Sequence, residues 1–193
     1  GGRFAAAGYG TKKAAEWDPA SPARPICEYT GHTDHVACVA SLPDDLVASG
    51  SDDDTVHTVR IWKADTGAHV ATLQGHTNSV YALAVLSDGR LASGSIDHTV
   101  RLWDISNPAS APRVLQHGSW VRALAALDGG ILASGCTDHK VYLWDVNSTS
   151  DQPMALLEGH SDGVRSLAAL PRGLLASGSW DNTVRVWNVA ART

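Results

Sequence analysis

Short apolar runs, each closed by turn residues, recur along this chain. Between residues 69 and 103 the pattern is clearest. His69 to Leu73 is one run, and Val80 to Val85 is the next. Asp88-Gly89 follows as a strong hairpin signal, then Arg90 to Gly94 and Thr99 to Trp103. The β-branched and aromatic content, with Gly, Pro and Asp at each reversal, predicts four short strands rather than helices. The same order returns around Pro43-Asp44-Asp45, Asp128-Gly129-Gly130 and Pro171-Arg172-Gly173. Each of these supplies residues that a tight reversal needs. Polar connectors of uneven length (Ala64 to Gly67, Asn107 to Ser110, Asn147 to Pro153) read as surface loops.

The runs belong to a repeat. Its markers are His32, Ser49, Asp53 and Trp62; then His76, Ser93, Asp97 and Trp103; then His117, Ser134, Asp138 and Trp144; then His160, Ser177, Asp181 and Trp187. Ser follows His by 17 residues and Asp follows it by 21 in every copy. Trp follows Asp by 6 residues in three copies and by 9 in the first, whose extra residues lengthen the turn at 52–57. A Val stands four residues after each His. A Gly precedes the His in three copies, but the third has Gln116 there, which predicts a distorted turn. Repetition at about 40 residues, opening on Gly-His and closing on Trp-Asp, is the mark of propeller blades.

These residues resemble the WD-repeat family of β-propellers, and the resemblance covers about Ile26 to Val189. It implies an all-β fold of four-stranded antiparallel blades. It also implies that each quartet forms a hydrogen-bonded tetrad, in which Trp donates to Ser, Ser contacts His, and His meets Asp. A buried indole N–H needs an acceptor and a buried His needs both nitrogens satisfied, so the physics agrees.

Residues 26–189 are therefore expected to form four blades, and 190–193 a tail. Residues 1–25 read as an irregular segment. Setting Trp17-Asp18 under Trp103-Asp104 also makes part of it the remnant of an earlier blade, although Glu16 then falls where Leu102 packs. Four repeats are few for a ring, which typically has 4–8 blades. An open arc from a larger propeller is expected, because the chain lacks an initial Met. A closed four-blade ring, with Ile26 to Thr30 as the outer strand of the last blade, and a dimer of half-rings are the alternatives.

Composition narrows function. The chain has 193 residues, 44% of them hydrophobic, and a formal net charge of −5. That gives no electrostatic footprint for nucleic acid or an anionic membrane. No apolar run approaches the ~20 residues that span a bilayer. Three cysteines without motif spacing (Cys27, Cys38, Cys136) suggest free thiols and an intracellular setting, cytoplasmic or nuclear.

A His, Ser and Asp at fixed spacing invites comparison with a hydrolase triad. Four copies argue against it, since a catalytic triad is needed once, and no Gly-x-Ser-x-Gly elbow is present. His32 and His35 have a metal-like spacing but no Cys nearby, and Asp52-Asp53-Asp54 lacks the ligand spacing of a calcium loop. No catalytic residue, metal or cofactor is expected.

The family resemblance implies instead a rigid platform for protein partners, a scaffold or adaptor. The alternative is a regulatory or substrate-recognition propeller of a larger enzyme complex. In the family, contacts come from residues flanking the strand Val and from the residue before the turn Asp. Among these positions Tyr81, Trp120, Arg122, Arg165 and Trp180 stand out, because Trp, Tyr and Arg dominate binding hot spots. An aromatic and basic patch of this kind suits an acidic or phosphorylated segment of a partner.

Overall fold

The computed structural model describes residues 4–7, 12–20, 23–53 and 57–192. Its strands form five antiparallel sheets in chain order. The first sheet is β1 (Phe4–Ala7), β2 (Lys13–Trp17) and β3 (Cys27–Thr30). Blade 1 is β4 (Val36–Leu42), β5 (Leu46–Ser51), β6 (Val59–Lys63) and β7 (His69–Leu73). Blade 2 is β8 (Val80–Val85), β9 (Leu91–Ser95), β10 (Thr99–Trp103) and β11 (Arg113–Gln116). Blade 3 is β12 (Val121–Leu127), β13 (Ile131–Cys136), β14 (Val141–Asp145) and β15 (Ala155–Leu157). The last sheet, blade 4, has three strands: β16 (Val164–Leu170), β17 (Leu174–Ser179) and β18 (Val184–Asn188). Each sheet is a meander, as short strands joined by tight turns dictate.

Blades are held to one another by apolar side chains. Trp103 of blade 2 packs with Leu42, Ala48, Val59 and Leu73 of blade 1. Trp144 of blade 3 packs with Ala92, Val100 and Leu115 of blade 2, and Trp187 of blade 4 with Ala133, Val141 and Leu157 of blade 3. Trp62 continues the series against Ala14 and Tyr29 of the first sheet. Each marker Trp thus closes the junction with the preceding sheet. Small residues at 48, 92 and 133, where the chain repeats Ala-Ser-Gly, leave room for that approach at three of the junctions.

Two readings of the N-terminal segment need correction. It is not irregular throughout, because β1 and β2 form a paired hairpin, with Phe4 opposite Trp17 and Ala5 opposite Glu16. And Cys27–Thr30 does not complete the last blade. It pairs with β2, Tyr29 opposite Ala14, and supplies the outer strand of the first sheet. The succession of sheets ends with blade 4 exposed: Val184 is 73% and Val186 58% accessible. The architecture is a partial propeller. The lengthened turn of blade 1 at 54–56 lies outside the described residues.

Candidate functional site

The tetrads set the ends of the strands. In blade 1, Trp62 Nε1 donates to Ser49 Oγ at 2.7 Å, His32 Nε2 meets the same Oγ at 2.7 Å, and His32 Nδ1 meets Asp53 Oδ2 at 2.7 Å. A carboxylate only accepts, so Nδ1 carries the proton and Nε2 accepts from the Ser hydroxyl. Blade 2 repeats this with Trp103, Ser93, His76 and Asp97, all at 2.7 Å. Blade 4 repeats it with Trp187, Ser177, His160 and Asp181 at 2.7–2.8 Å.

The aspartates also accept the backbone N–H of the residue after the His: Thr33, Thr77 and Ser161. Burial alone would raise the Asp53 and Asp97 carboxyls. The His hydrogen bonds, with backbone N–H donors, more than offset it and hold both well below the usual range. Two further contributors escaped the sequence reading. Thr58, Thr99 and Thr183 donate hydroxyls to the same aspartates. Ser51, Ser95 and Ser179 donate to the carbonyls of His35, Asn78 and Asp162, pinning the turn that enters the first strand of the blade. Their recurrence two residues after or before the Asp was the available signal, blurred in copy one by the longer turn.

The third quartet is wired differently, and the expectation of four equal tetrads is corrected here. His117 Nε2 meets Ser134 Oγ at 2.7 Å, but Nδ1 donates to the carbonyl of Leu115 at 3.1 Å, not to Asp138. Asp138 accepts instead from the hydroxyl of Tyr142 at 2.6 Å. The cause is a missing residue. Leu73 and Leu157 stand three positions before their His, whereas Leu115 stands two before His117. The absent position is the glycine, which adopts φ of 146° to 156° in the other copies, a region that only glycine enters readily.

At Gly75 a Cβ would also sit 2.6 Å from Arg101 Nη1. Where that glycine is gone, Tyr142 replaces the arginine. Its ring lies 4.8 Å from His117 and stacks on Trp144. Cys136 replaces the pinning serine, and burial pushes its thiol up.

This wiring predicts a pH response. Burial pushes His117 down from 6.5 to about 4, only partly opposed by the Leu115 carbonyl. Between those values the unfolded chain binds more protons than the folded one. Stability therefore falls as pH drops through that window, by roughly 3 kcal/mol in all. The depressed Asp53 and Asp97 act at lower pH, because their contribution is lost only as pH falls below the unfolded carboxylate value. Urea melts at pH 7, 5.5 and 4.5 check this: His117→Gln is expected to flatten the loss, and an unchanged slope would contradict it.

The candidate surface lies at the same end of the sheets. Each first strand carries a β-bulge, at Ala37, Tyr81, Arg122 and Arg165. A bulge turns its extra residue out of the ladder and re-aims the side chain. These are the positions just after the strand Val. The two other positions in each blade are tied backbone to backbone: Ile96 N to Ser79 O, Thr137 N to Trp120 O, and Trp180 N to Gly163 O, at 3.0–3.1 Å. So the three positions of each blade converge.

All five residues singled out in the sequence enter one arrangement across blades 2 to 4. The Arg122 guanidinium lies 4.2 Å from the Tyr81 ring centroid and 5.2 Å from that of Trp120. Arg165 lies 4.5 Å over Trp180. Burial and the neighbouring charge of Arg122 both lower the pKa of Arg165, so the two cations feel each other. Arg122 Nε is buried and has no hydrogen-bond partner among the described residues. Trp180 packs on Gly163, where a Cβ would stand 2.9 Å from Cε3. Trp120 and Trp180 remain 42% and 49% exposed.

Comparison with known proteins places these observations in a family. The model described as "WD domain, G-beta repeat" matches residues 23–58, 67–104, 111–145 and 151–188. Among curated proteins, a stretch of 60 residues is 38% identical to the F-box/WD repeat-containing protein sel-10 of Caenorhabditis elegans, which is 31% of this chain and 10% of that protein. With most of its length matched by four repeats, the chain belongs to the WD domain, G-beta repeat family.

Proposed function

We propose that this protein is a non-catalytic adaptor that docks an acidic or phosphorylated segment of a protein partner on the Tyr81, Trp120, Arg122, Arg165 and Trp180 surface. Repeats of this family serve in general as protein-interaction scaffolds. The observation that carries the finer reading is the pair of ring-backed guanidiniums. Each is held in place by an aromatic face, and each repels the other. An anion between them relieves that repulsion, and phosphate offers Arg the bidentate geometry that strengthens such bonds. The exposed indoles flanking the cations suit an apolar side chain beside the charge.

A second reading rests on the relative. Its name joins WD repeats to an F-box, and the matched stretch is a tenth of its length. That favours a recognition propeller within a larger assembly. The two readings share the surface and differ in what is attached to it. Three free cysteines support an intracellular site of action. Among the described residues no helix is long and apolar enough to cross a membrane.

An array of phosphoserine and phosphothreonine peptides, printed beside their unmodified forms, tests the proposal. Retention of phosphorylated or acidic spots by the wild type is the expected outcome. Equal retention of neutral and basic spots would defeat it.

A further inference from the structure

At the end of the sheets opposite to the aromatic and basic surface, blades 1 and 2 enclose a cavity of about 250 Å³. Both blades have all four of their strands, so the cavity belongs to a complete junction. Its floor is apolar. Leu42 ends β4, Leu46 opens β5, and Ile105 follows β10. All three belong to the cluster around Trp103. The counterparts of Ile105, two residues beyond the other marker tryptophans, are Ala64, Val146 and Val189, which are only 4–6% exposed. Ile105 is the largest of the four and is only half-buried. Apolar surface that the other junctions cover is therefore open here.

The rim is acidic. Asp44, Asp88 and Asp104 line it, and all three are exposed. One guanidinium stands among them, and it is committed: Arg90 Nη2 lies 2.6 Å from Asp88 Oδ2 and donates to the Val146 carbonyl of blade 3 at 3.1 Å. Three carboxylates against one cation leave the rim net negative. Asp104 accepts the Ser106 hydroxyl and the N–H groups of Ser106 and Asn107, all at Oδ1, and these bonds hold its carboxyl below the usual range.

We infer that this cavity is a second docking site, for a segment of a partner protein in which an aliphatic side chain stands next to a lysine or arginine. The aliphatic group covers Leu46 and Ile105, and the cation meets Asp44 and Asp104. A lysine or arginine stem adds apolar contact of its own while its head stays at the wet rim. The volume suits one or two side chains, since pockets for drug-sized ligands run from about 300 to 1,000 Å³. Among the described residues no group of three His, Cys, Asp or Glu is placed to hold a metal ion, which leaves the rim charge to a side-chain cation. The surface at the other end of the blades selects the opposite charge, so this inference stands or falls independently of the proposed function.

The probe is the capped tetrapeptide Gly-Leu-Lys-Arg, added to the full chain, with the δ1-methyl resonance of Ile105 as the readout. A saturable shift is expected. Binding is expected to be at least fivefold weaker for Gly-Leu-Glu-Glu and for Gly-Ser-Lys-Arg. The double substitution Asp44→Asn, Asp104→Asn is expected to weaken Gly-Leu-Lys-Arg to the same degree, with an unchanged melting temperature. Both positions are exposed, asparagine tolerates the left-handed backbone of Asp44 (φ 59°), and it keeps an acceptor oxygen for Ser106. Four results would overturn the inference: no saturable shift at Ile105, equal binding by Gly-Leu-Glu-Glu, undiminished binding by the double variant, or an Ile105 shift that grows with protein concentration alone as light scattering reports self-association.

Discussion

Trp103→Ala is expected to destabilise the protein by about 3–5 kcal/mol, and Asp97→Asn by only about 1–2 kcal/mol. The ranking follows from what each group does. Trp103 is buried at the junction between blades 1 and 2, against Leu42, Val59 and Leu73. Truncation removes that packing, leaves a cavity and orphans the Ser93 hydroxyl as an acceptor. Asp97 gathers His76, Thr99 and the Thr77 amide, and an asparagine keeps one acceptor oxygen for them. A domain is typically stable by 5–15 kcal/mol, so the Trp loss alone brings the arc near unfolding. Asp138→Asn is expected to cost less than Asp97→Asn, because Asp138 holds the Tyr142 hydroxyl and not its His. Urea denaturation of the three variants measures this. If Asp97→Asn matched Trp103→Ala, the blade junctions would owe no more to packing than to the tetrad hydrogen bonds.

The second large effect concerns binding. The double substitution Arg122→Glu, Arg165→Glu is expected to weaken capture of an acidic or phosphorylated segment by more than 100-fold. Losing a charge-assisted bond costs roughly 1.5–3 kcal/mol, and two losses with reversed charge compound it. Trp120→Ala and Trp180→Ala are expected to weaken capture about tenfold each, as exposed aromatic hot spots do. None of the four positions is needed by a tetrad, so circular dichroism and melting temperature are expected to stay near wild type. Arg113 offers a control elsewhere: it donates to the carbonyls of Val146 and Ser150 in the connector of blade 3. If Arg113→Glu removed binding while the double variant kept it, the surface would be misplaced.

The strands, their order and the tetrad residues of copies one, two and four were legible because they repeat, and repetition at fixed spacing averages away local ambiguity. The five surface residues were legible only through the family resemblance. Periodicity could not place them, since a bulge breaks the very alternation that a reader follows. Hence Arg122 and Arg165 sit one step out of the ladder, turned toward Tyr81 and Trp180.

Copy three showed the limit differently. The absence of glycine before His117 was visible, but its consequence ran through three dimensions. Shortening the turn redirected Nδ1 to Leu115, freed Asp138 and made room for the Tyr142 ring. The N-terminal sheet was half legible: Trp17-Asp18 pointed to an earlier blade, and a one-residue offset blurred its strands. Aligning the tryptophans set Ala5 at the place of Leu91, while the strands pair Phe4 with Trp17. Glu16, buried where a leucine stands elsewhere, weakened the pattern further.

The most direct measurement follows the indole N–H resonances of all seven tryptophans while a phosphopeptide retained on the array is titrated in. Trp62, Trp103 and Trp187 have their N–H groups locked onto serine inside the blades, and Trp144 shares its N–H between Ser134 and His117. Trp120 and Trp180 stand exposed beside Arg122 and Arg165. The predicted result is saturable shifts at Trp120 and Trp180, with the four locked indoles nearly still, and no shifts in the Arg122→Glu, Arg165→Glu variant. Saturable binding that leaves Trp120 and Trp180 unmoved would contradict the assignment of this surface as the docking site.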